Sequence, residues 1–552
     1  MRLFYLCMIL LVLHGGRAVA PHHNVNEDEF LGNEDILEEL GRDIVIWWFV
    51  PRTEYMKDQD FLDGFHNALE EFAVQNSGQP EHVYQSRSDY LGTIFFTIKL
   101  FITKDPEELW DGYKDFLISY GEVPREGLPR RIQNHEDVTQ FKPKLKAKPV
   151  VEMEDQENPE QNATLSTRSD GLVFGRVTHP KDVEAWEEPF EDLQKLSQPK
   201  DVPLSELRGQ YYRRAAKGQD STVYVIDWGA WVSKDREFEH KELSGIQLVD
   251  YLFAGPDPAI DMVDSWKEFY HGTKVLSRIA GRRLGTAPLA KIVIVRNRNK
   301  FGYVTAAHLF DAILKTYDHI VQTKPKFAVL NMSFYIPMGD TSGEWFNGDG
   351  RIIHKITKDY DHPDSGLEQE ATGVLTTPEV VLKIMKLFTE ELEKLGNVKI
   401  VACISNDERD LKSLPSDEMT RFPKTVVAVG AVGSNNQIIG QYWEDLKIYA
   451  PSTNVMVASY DQVDDSATIV PSNGVSFATG TVSGILASFV SEGVPIDDVV
   501  EHLYKLAHSR KPPGTEEEPQ ERYAPIVFNG VERNEWPLTI GDQEGLEEYI
   551  LP

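Results

Sequence analysis

The chain has 552 residues, 41% hydrophobic and 26% charged, a composition that supports a sizeable folded core and, at about 150 residues per unit, roughly two to four folding units. Its 88 acidic and 57 basic residues leave a net charge of -31, which repels phosphate backbones and anionic headgroups and argues against nucleic-acid binding. Two cysteines, Cys7 and Cys403, exclude a disulfide scaffold and a cysteine-rich zinc site.

Arg2 precedes an apolar run from Leu3 to Leu13 and small residues up to Ala20, the layout of a secretory signal peptide over residues 1–20 and too short for a membrane span. Ala18-Val19-Ala20 offers one cleavage site, and a cut after Ala18 is equally compatible. No second long apolar run follows, so the product is expected to be exported to the extracellular space without stable membrane insertion.

Residues 43–125 are expected to form a small α/β unit. Ile44 to Val50 suits a buried strand, Phe61, Leu62, Phe65, Leu69 and Phe72 recur at helical spacing, Thr93 to Phe101 is β-branched and aromatic, and Asp105-Pro106 opens a second helix. From 126 to 215 the patterning weakens into a Lys/Pro-rich and then acidic stretch, expected to be a linker, with Asn162 as a glycosylation candidate. Arg130-Arg131 and Arg213-Arg214 are dibasic pairs open to a processing protease.

The character changes at Ser221. Val223 to Ile226 reads as a central parallel strand that delivers Asp227 at its carboxyl end, where ligands bind in open α/β sheets; an aspartate there also commonly caps the next helix. His271-Gly272-Thr273 precedes a helical apolar pattern, which puts the histidine on a first turn, as a cap or as a functional group. Ile292 to Val295 continues the βαβ pattern. Val398 to Ile404 reads as a further strand leading to Asn406, a residue that otherwise suits a turn. Ser476 begins another helix, with Val482, Ile485, Leu486, Phe489 and Val490 as its apolar stripe, so that its hydroxyl lies near the positive end of the helix dipole or serves as a plain N-cap.

Asp227, His271 and Ser476 fall in the order Asp, His, Ser, one of the known chain orders of a serine-hydrolase triad. Val223-Tyr224-Val225-Ile226-Asp227-Trp228-Gly229, Phe269-Tyr270-His271-Gly272-Thr273-Lys274 and Gly474-Val475-Ser476-Phe477-Ala478-Thr479 resemble the three catalytic motifs of subtilisin-like serine endopeptidases. Gly285-Thr286-Ala287-Pro288 and Val329-Leu330-Asn331-Met332-Ser333 resemble further landmarks of that family, more loosely. The resemblance spans 221 to about 531. It implies an α/β fold with a parallel sheet between helix layers over 216–531, an inhibitor-type propeptide over 43–125 that acts intramolecularly, and a tail at 532–552. It also implies polypeptide substrates, Asn406 in the oxyanion hole, and no required cofactor or catalytic metal, with structural calcium left open.

Three departures stand out. Lys274 replaces the usual second histidine, Gly480-Thr481 replace the usual Pro-His, and the expected walls of the specificity pocket, Ser333, Phe334, Tyr335 and Ile404, are bulkier than the glycine-rich segments usual there. They motivate a rival reading, a secreted pseudoprotease that uses the scaffold for binding. Gly339 to Ser365 reads as an inserted surface loop.

Overall fold

The computed structural model describes residues 44–51, 56–77, 83–101, 138–141, 148–149, 182–187, 190–231, 243, 245–256, 258, 270–298, 306–337, 377–404, 413–440, 445–461, 466–511 and 523–537. The amino-terminal part is an antiparallel sheet backed by a helix. Strands β1 (Ile44–Pro51), β2 (Val83–Ser88), β3 (Gly92–Phe101) and β4 (Val138–Phe141) lie in the order β2-β3-β1-β4, and helix α1 (Gln59–Ser77) packs on β3 and β2. The apolar stripe expected from the sequence is the one that is buried: Phe61, Leu62, Phe65, Leu69 and Phe72 all face inward, with Phe65 edge-on to Phe96 at 5.3 Å. The helix expected at 105–117 lies outside the described residues.

Two short stretches follow. Strand β5 is Lys148–Pro149, and then come β6 (Val183–Glu187), α2 (Glu191–Leu196) and β7 (Gln210–Arg214). This corrects the expected linker, because residues 183–214 form an antiparallel pair and a helix instead of an extended arm. The reason is burial of sparse but well-placed apolar groups: Leu193, Leu196 and Leu207 are fully covered, and Tyr211 and Tyr212 nearly so. The same stretch removes Arg213-Arg214 as an accessible processing site. Arg213 is 6% exposed, stacks over Trp186 at 4.4 Å and pairs with Glu184, while Arg214 pairs with Glu492 at 3.1 Å and Glu535 at 2.8 Å.

The main body is a mixed, mostly parallel sheet. Its strands are β8 (Ser221–Asp227), β9 (Gln247–Phe253), β10 (Lys291–Arg296), β11 (Phe327–Met332), β13 (Val398–Cys403), β15 (Val426–Val432), β16 (Ile438–Ile439) and β17 (Tyr449–Pro451). A separate strand β12 (Phe334–Pro337) leaves the end of β11 and pairs with β14 (Ser413–Leu414); β18 (Val455–Asp461) and β19 (Ser466–Ser472) form a hairpin-like ribbon. The main order is β16-β15-β13-β11-β8-β10-β9 with β17 beside β15, parallel throughout except at β16. Every residue of β8, β11, β13 and β15 is buried, as strands covered on both faces must be.

Helices α3 (Tyr270–Ala280) and α6 (Val475–Ser491) pack against each other, with α6 lying on β8, β11, β13 and β15. Helices α4 (Ala306–Thr323) and α5 (Thr377–Lys394) pack together, α4 on β8 to β10 and α5 on β13, and α7 (Val499–Leu506) leans on α6. The sequence-expected strands and helices of this body are present within a residue or two. The amino-terminal sheet docks on α4, where Ser86 Oγ donates to Asp311 Oδ1 at 2.6 Å and Ser88 bonds Asp318.

Candidate active site

The chain leaves β8 toward β9 and β10 on one side and returns through α4 to β11 on the other, so the carboxyl end of β8 is a topological switch point. Asp227 closes β8, Ser333 follows β11 and Ile404 follows β13, which puts all three at the same edge of the sheet. Asp227 is buried, and its Oδ1 accepts the Trp228 N–H at 2.7 Å.

His271 stands on the first turn of α3, buried, with Nδ1 at 2.9 Å from Asp227 Oδ2 and 3.1 Å from Oδ1. That contact directs the opposite ring nitrogen, Nε2, away from the carboxylate. Gly272 makes the approach possible: a Cβ there would stand 2.0 Å from the Gly229 carbonyl oxygen. Thr273 Oγ1 accepts the Trp231 N–H at 2.9 Å, which ties the first turn of α3 to the loop after β8. Trp228 lies 5.9 Å from the imidazole and carries Arg298 on its ring at 5.2 Å, while Phe477 lies 6.2 Å from the imidazole.

Ser476 is fully buried on the first turn of α6. Its hydroxyl donates to the Ser333 carbonyl at 3.3 Å, and the Ser333 hydroxyl donates back to the Ser476 carbonyl at 3.1 Å. Behind them Asn331 Nδ2 donates to Ser333 Oγ at 2.9 Å, and Ser483 Oγ donates to Asn331 Oδ1 at 3.0 Å. This polar chain connects the end of β11 to the third turn of α6. Asn331 is therefore a buried structural group.

Helix α6 comes this close to α3 because its inner face carries small residues. A Cβ on Gly484 would meet Thr286 Oγ1 at 2.1 Å, and Thr286 Oγ1 donates to the Thr481 carbonyl at 2.9 Å. Two buried cations of α3 reach neighbouring elements, Lys274 to the end of β19 and Arg278 to α6. Lys274 Nζ donates to Ser472 Oγ at 2.9 Å, and Arg278 Nε donates to Thr481 Oγ1 at 3.2 Å. Sequence reading treats Lys274 only as a departure from a motif and passes over Arg278. The spacing 271, 274, 278 on one helical face was the available signal.

Of the remaining expected residues, Ser333, Phe334 and Ile404 are buried, and the Ile404 N–H donates to the Val429 carbonyl at 3.1 Å. Phe334 and Tyr335 lie in β12, whose free edge receives a strand of the same chain, with Phe334 opposite Pro149 and Tyr335 opposite Lys148 in antiparallel register. Asn406, Asn162 and the 339–365 insertion lie outside the described residues. Cys403 is a buried free thiol, and burial pushes its pKa up, as for an inert core group. Among the described residues no group of three or more His, Cys, Asp or Glu side chains is arranged to hold a metal ion, and no helix is long and apolar enough to cross a membrane.

No protein-family model matches the chain. In sequence it is similar to subtilisin-like protease 2 of Trichophyton equinum, 24% identical over 346 residues, covering 62% of this chain and 66% of the relative. It is also similar to a cuticle-degrading serine protease of Orbilia oligospora, 22% identical over 302 residues, covering 54% and 56%. A third relative, a subtilisin-like protease of Coccidioides posadasii, is 30% identical over 128 residues, covering 23% of this chain and 29% of the relative. The chain thus spans less than two thirds of the length of these relatives. Solved structures that match include a cold-adapted subtilisin-like serine proteinase, at 19% identity and TM-score 0.41 over 62% of this chain and 100% of that one. Another is the epidermin leader peptide processing serine protease of Staphylococcus aureus, at 12% identity and TM-score 0.47 over 88% and 98%.

Proposed function

We propose that this chain, a subtilase by sequence relationship and by fold, is a secreted serine endopeptidase whose triad is Asp227, His271 and Ser476. The observation that carries the reading is the Asp227–His271 contact at 2.9 Å, with Ser476 on the first turn of the helix that packs against the one bearing His271. Ser476 Oγ turns from the Ser333 carbonyl toward His271 Nε2 and attacks the peptide carbonyl carbon, forming a C–O bond while its proton passes to Nε2. His271 then returns that proton to the departing amine as the C–N bond breaks, and a water repeats the sequence to release the acid. Asp227 holds the imidazole in the Nδ1–H tautomer and stabilises its charged form.

The Ser476 N–H, at the positive end of a 17-residue helix, and the Asn406 side chain after β13 bind the oxyanion. Loss of one such donor typically costs about 10²–10³ in turnover. These steps need no metal; calcium, if bound, has a structural role.

Residues 43–125 act as an intramolecular inhibitor. Support comes from their docking on α4 through Ser86 and Ser88; further along the chain, Lys148–Pro149 lies on the β12 edge beside Ser333, the mode in which an extended peptide adds a strand. The covered Phe334 and Ile404 favour small residues at the cleavage position.

The test is hydrolysis of a peptide library by the processed protein and by Ser476→Ala. Cleavage after small residues, lost in the variant, is the expected result, and dominant cleavage after large aromatic residues contradicts the specificity. No cleavage by either form supports the pseudoprotease reading, which the bulky pocket walls favour.

A further inference from the structure

Upstream of β8, outside the span that carries the catalytic motifs, α2 contributes a carboxylate to the interior of the main body. Asp192 Oδ2 lies 2.8 Å from Arg278 Nη1, and the Arg278 side chain is entirely buried. The guanidinium touches three elements besides its own helix: Asp192 of α2, Thr481 of α6 through Nε at 3.2 Å, and the Met456 carbonyl of β18 through Nη1 at 3.2 Å. His271 is two turns before Arg278 on α3, and Ser476 is five residues before Thr481 on α6. The helices that bear the proposed base and nucleophile are therefore joined at one buried cation.

We infer that Asp192 is a positioning residue for the triad: by neutralising Arg278 it keeps the guanidinium clamped between α3 and α6, and so sets the separation of His271 from Ser476. This rests on the endopeptidase reading of the site. A guanidinium withdrawn from water needs a counter-charge, and among the described residues Asp192 is the carboxylate paired with this one. Burial raises the Asp192 pKa and Arg278 opposes that rise, with Lys195 adding a smaller opposing effect. The helix interface gives little room to absorb an error, because Gly480 and Gly484 bring the α6 backbone against Val275 and Thr286. A misplacement of about 1 Å can cost roughly 10²-fold in rate. The catalytic unit accordingly extends upstream to α2, and chain cleavage at Arg213-Arg214 would detach this counter-ion covalently from the body it serves.

The experiment compares Asp192→Asn, Asp192→Glu and the double variant Asp192→Leu/Arg278→Met with wild type. Turnover is expressed per site titrated by a fluorophosphonate, so that misfolded protein does not count. The clamp predicts that Asp192→Asn loses about 10–100-fold in kcat with KM within about twofold, and that Asp192→Glu recovers most of the loss. The double variant, with both charges gone, folds as well as wild type and still shows the low kcat, because the bond to Thr481 is absent. Lys505→Ala, which breaks an exposed pair with Glu501, leaves turnover unchanged.

Wild-type kcat per titrated site in Asp192→Asn, or in the double variant where the single one does not fold, overturns the inference. If wild type itself neither titrates nor turns over, the endopeptidase reading fails, and the clamp is read instead from the downfield Nδ1–H resonance of His271. A shift of that resonance in Asp192→Asn supports the clamp, and an unchanged one overturns it.

Discussion

The Asp227 carboxylate and the His271 imidazole, 44 residues apart in the chain, meet at 2.9 Å because β8 ends where α3 begins. The contact fixes which ring nitrogen carries the proton. Asp227→Asn presents an amide that can donate to Nδ1, which reverses the tautomer and leaves Nε2 protonated. Turnover is expected to fall about 10⁴-fold with the fold intact. Steady-state kinetics beside a far-ultraviolet dichroism spectrum check this, and a drop below tenfold contradicts the assignment.

Gly272 tests the close approach on which that contact depends. Alanine at this position sets a methyl group 2.0 Å from the Gly229 carbonyl oxygen and 3.1 Å from Asp227 Cβ, so α3 must retreat from the end of β8. We expect Gly272→Ala to cost about 1–3 kcal/mol of stability, as overpacking does, and to lose more activity than that loss of folded protein explains. Denaturant unfolding and turnover per folded molecule separate the two effects.

A second histidine gives a pH dependence unrelated to catalysis. His308 on α4 is buried, bonds the Pro256 carbonyl at 2.9 Å, and is pushed by burial from its ordinary 6.5 down to about 4. The unfolded chain binds the proton first, so this group's contribution to stability is complete above about pH 6.5 and is lost as pH falls toward about 4. The contribution is about 3 kcal/mol at pH 7. Unfolding of wild type and His308→Gln at pH 7 and pH 4.5 measures it: the variant should lose less stability on acidification. Equal losses would refute the assignment.

Processing offers a further test. Strand β4 ends at Phe141 within the amino-terminal sheet, and β6 begins at Val183 within the main body, so a cut that spares both falls between residues 142 and 182. Amino-terminal sequencing of the processed protein should start in that window. It should be unchanged in an Arg130→Ala/Arg131→Ala double variant, and a start at Ala215 would contradict the account.

The strongly patterned parts of this fold are legible in the sequence. Val223 to Asp227, Ile292 to Val295 and Val398 to Cys403 are apolar runs whose burial on both sheet faces leaves few alternatives, and the stripe from Phe61 to Phe72 has a clear helical period. The stretch 183–214 is not legible in the same way. Its apolar residues are few and separated by charges, and some of those charges are satisfied by partners distant in the chain, as Asp192 is by Arg278 and Arg214 by Glu492. The proposed triad of Asp227, His271 and Ser476 rests on motifs visible in the sequence. The polar chain from Ser483 through Asn331 to Ser333 is not legible, because it depends on β11 and α6 meeting across a separation of 152 positions.

The central claim is that Ser476 is an activated nucleophile. The most direct measurement is reaction of the processed protein with a fluorophosphonate, followed by mass spectrometry of its peptides. The account predicts one phosphonyl adduct, on Ser476, formed in wild type and absent in His271→Ala and in Ser476→Ala. An unmodified Ser476 in wild-type protein freed of residues 43–125 would contradict it.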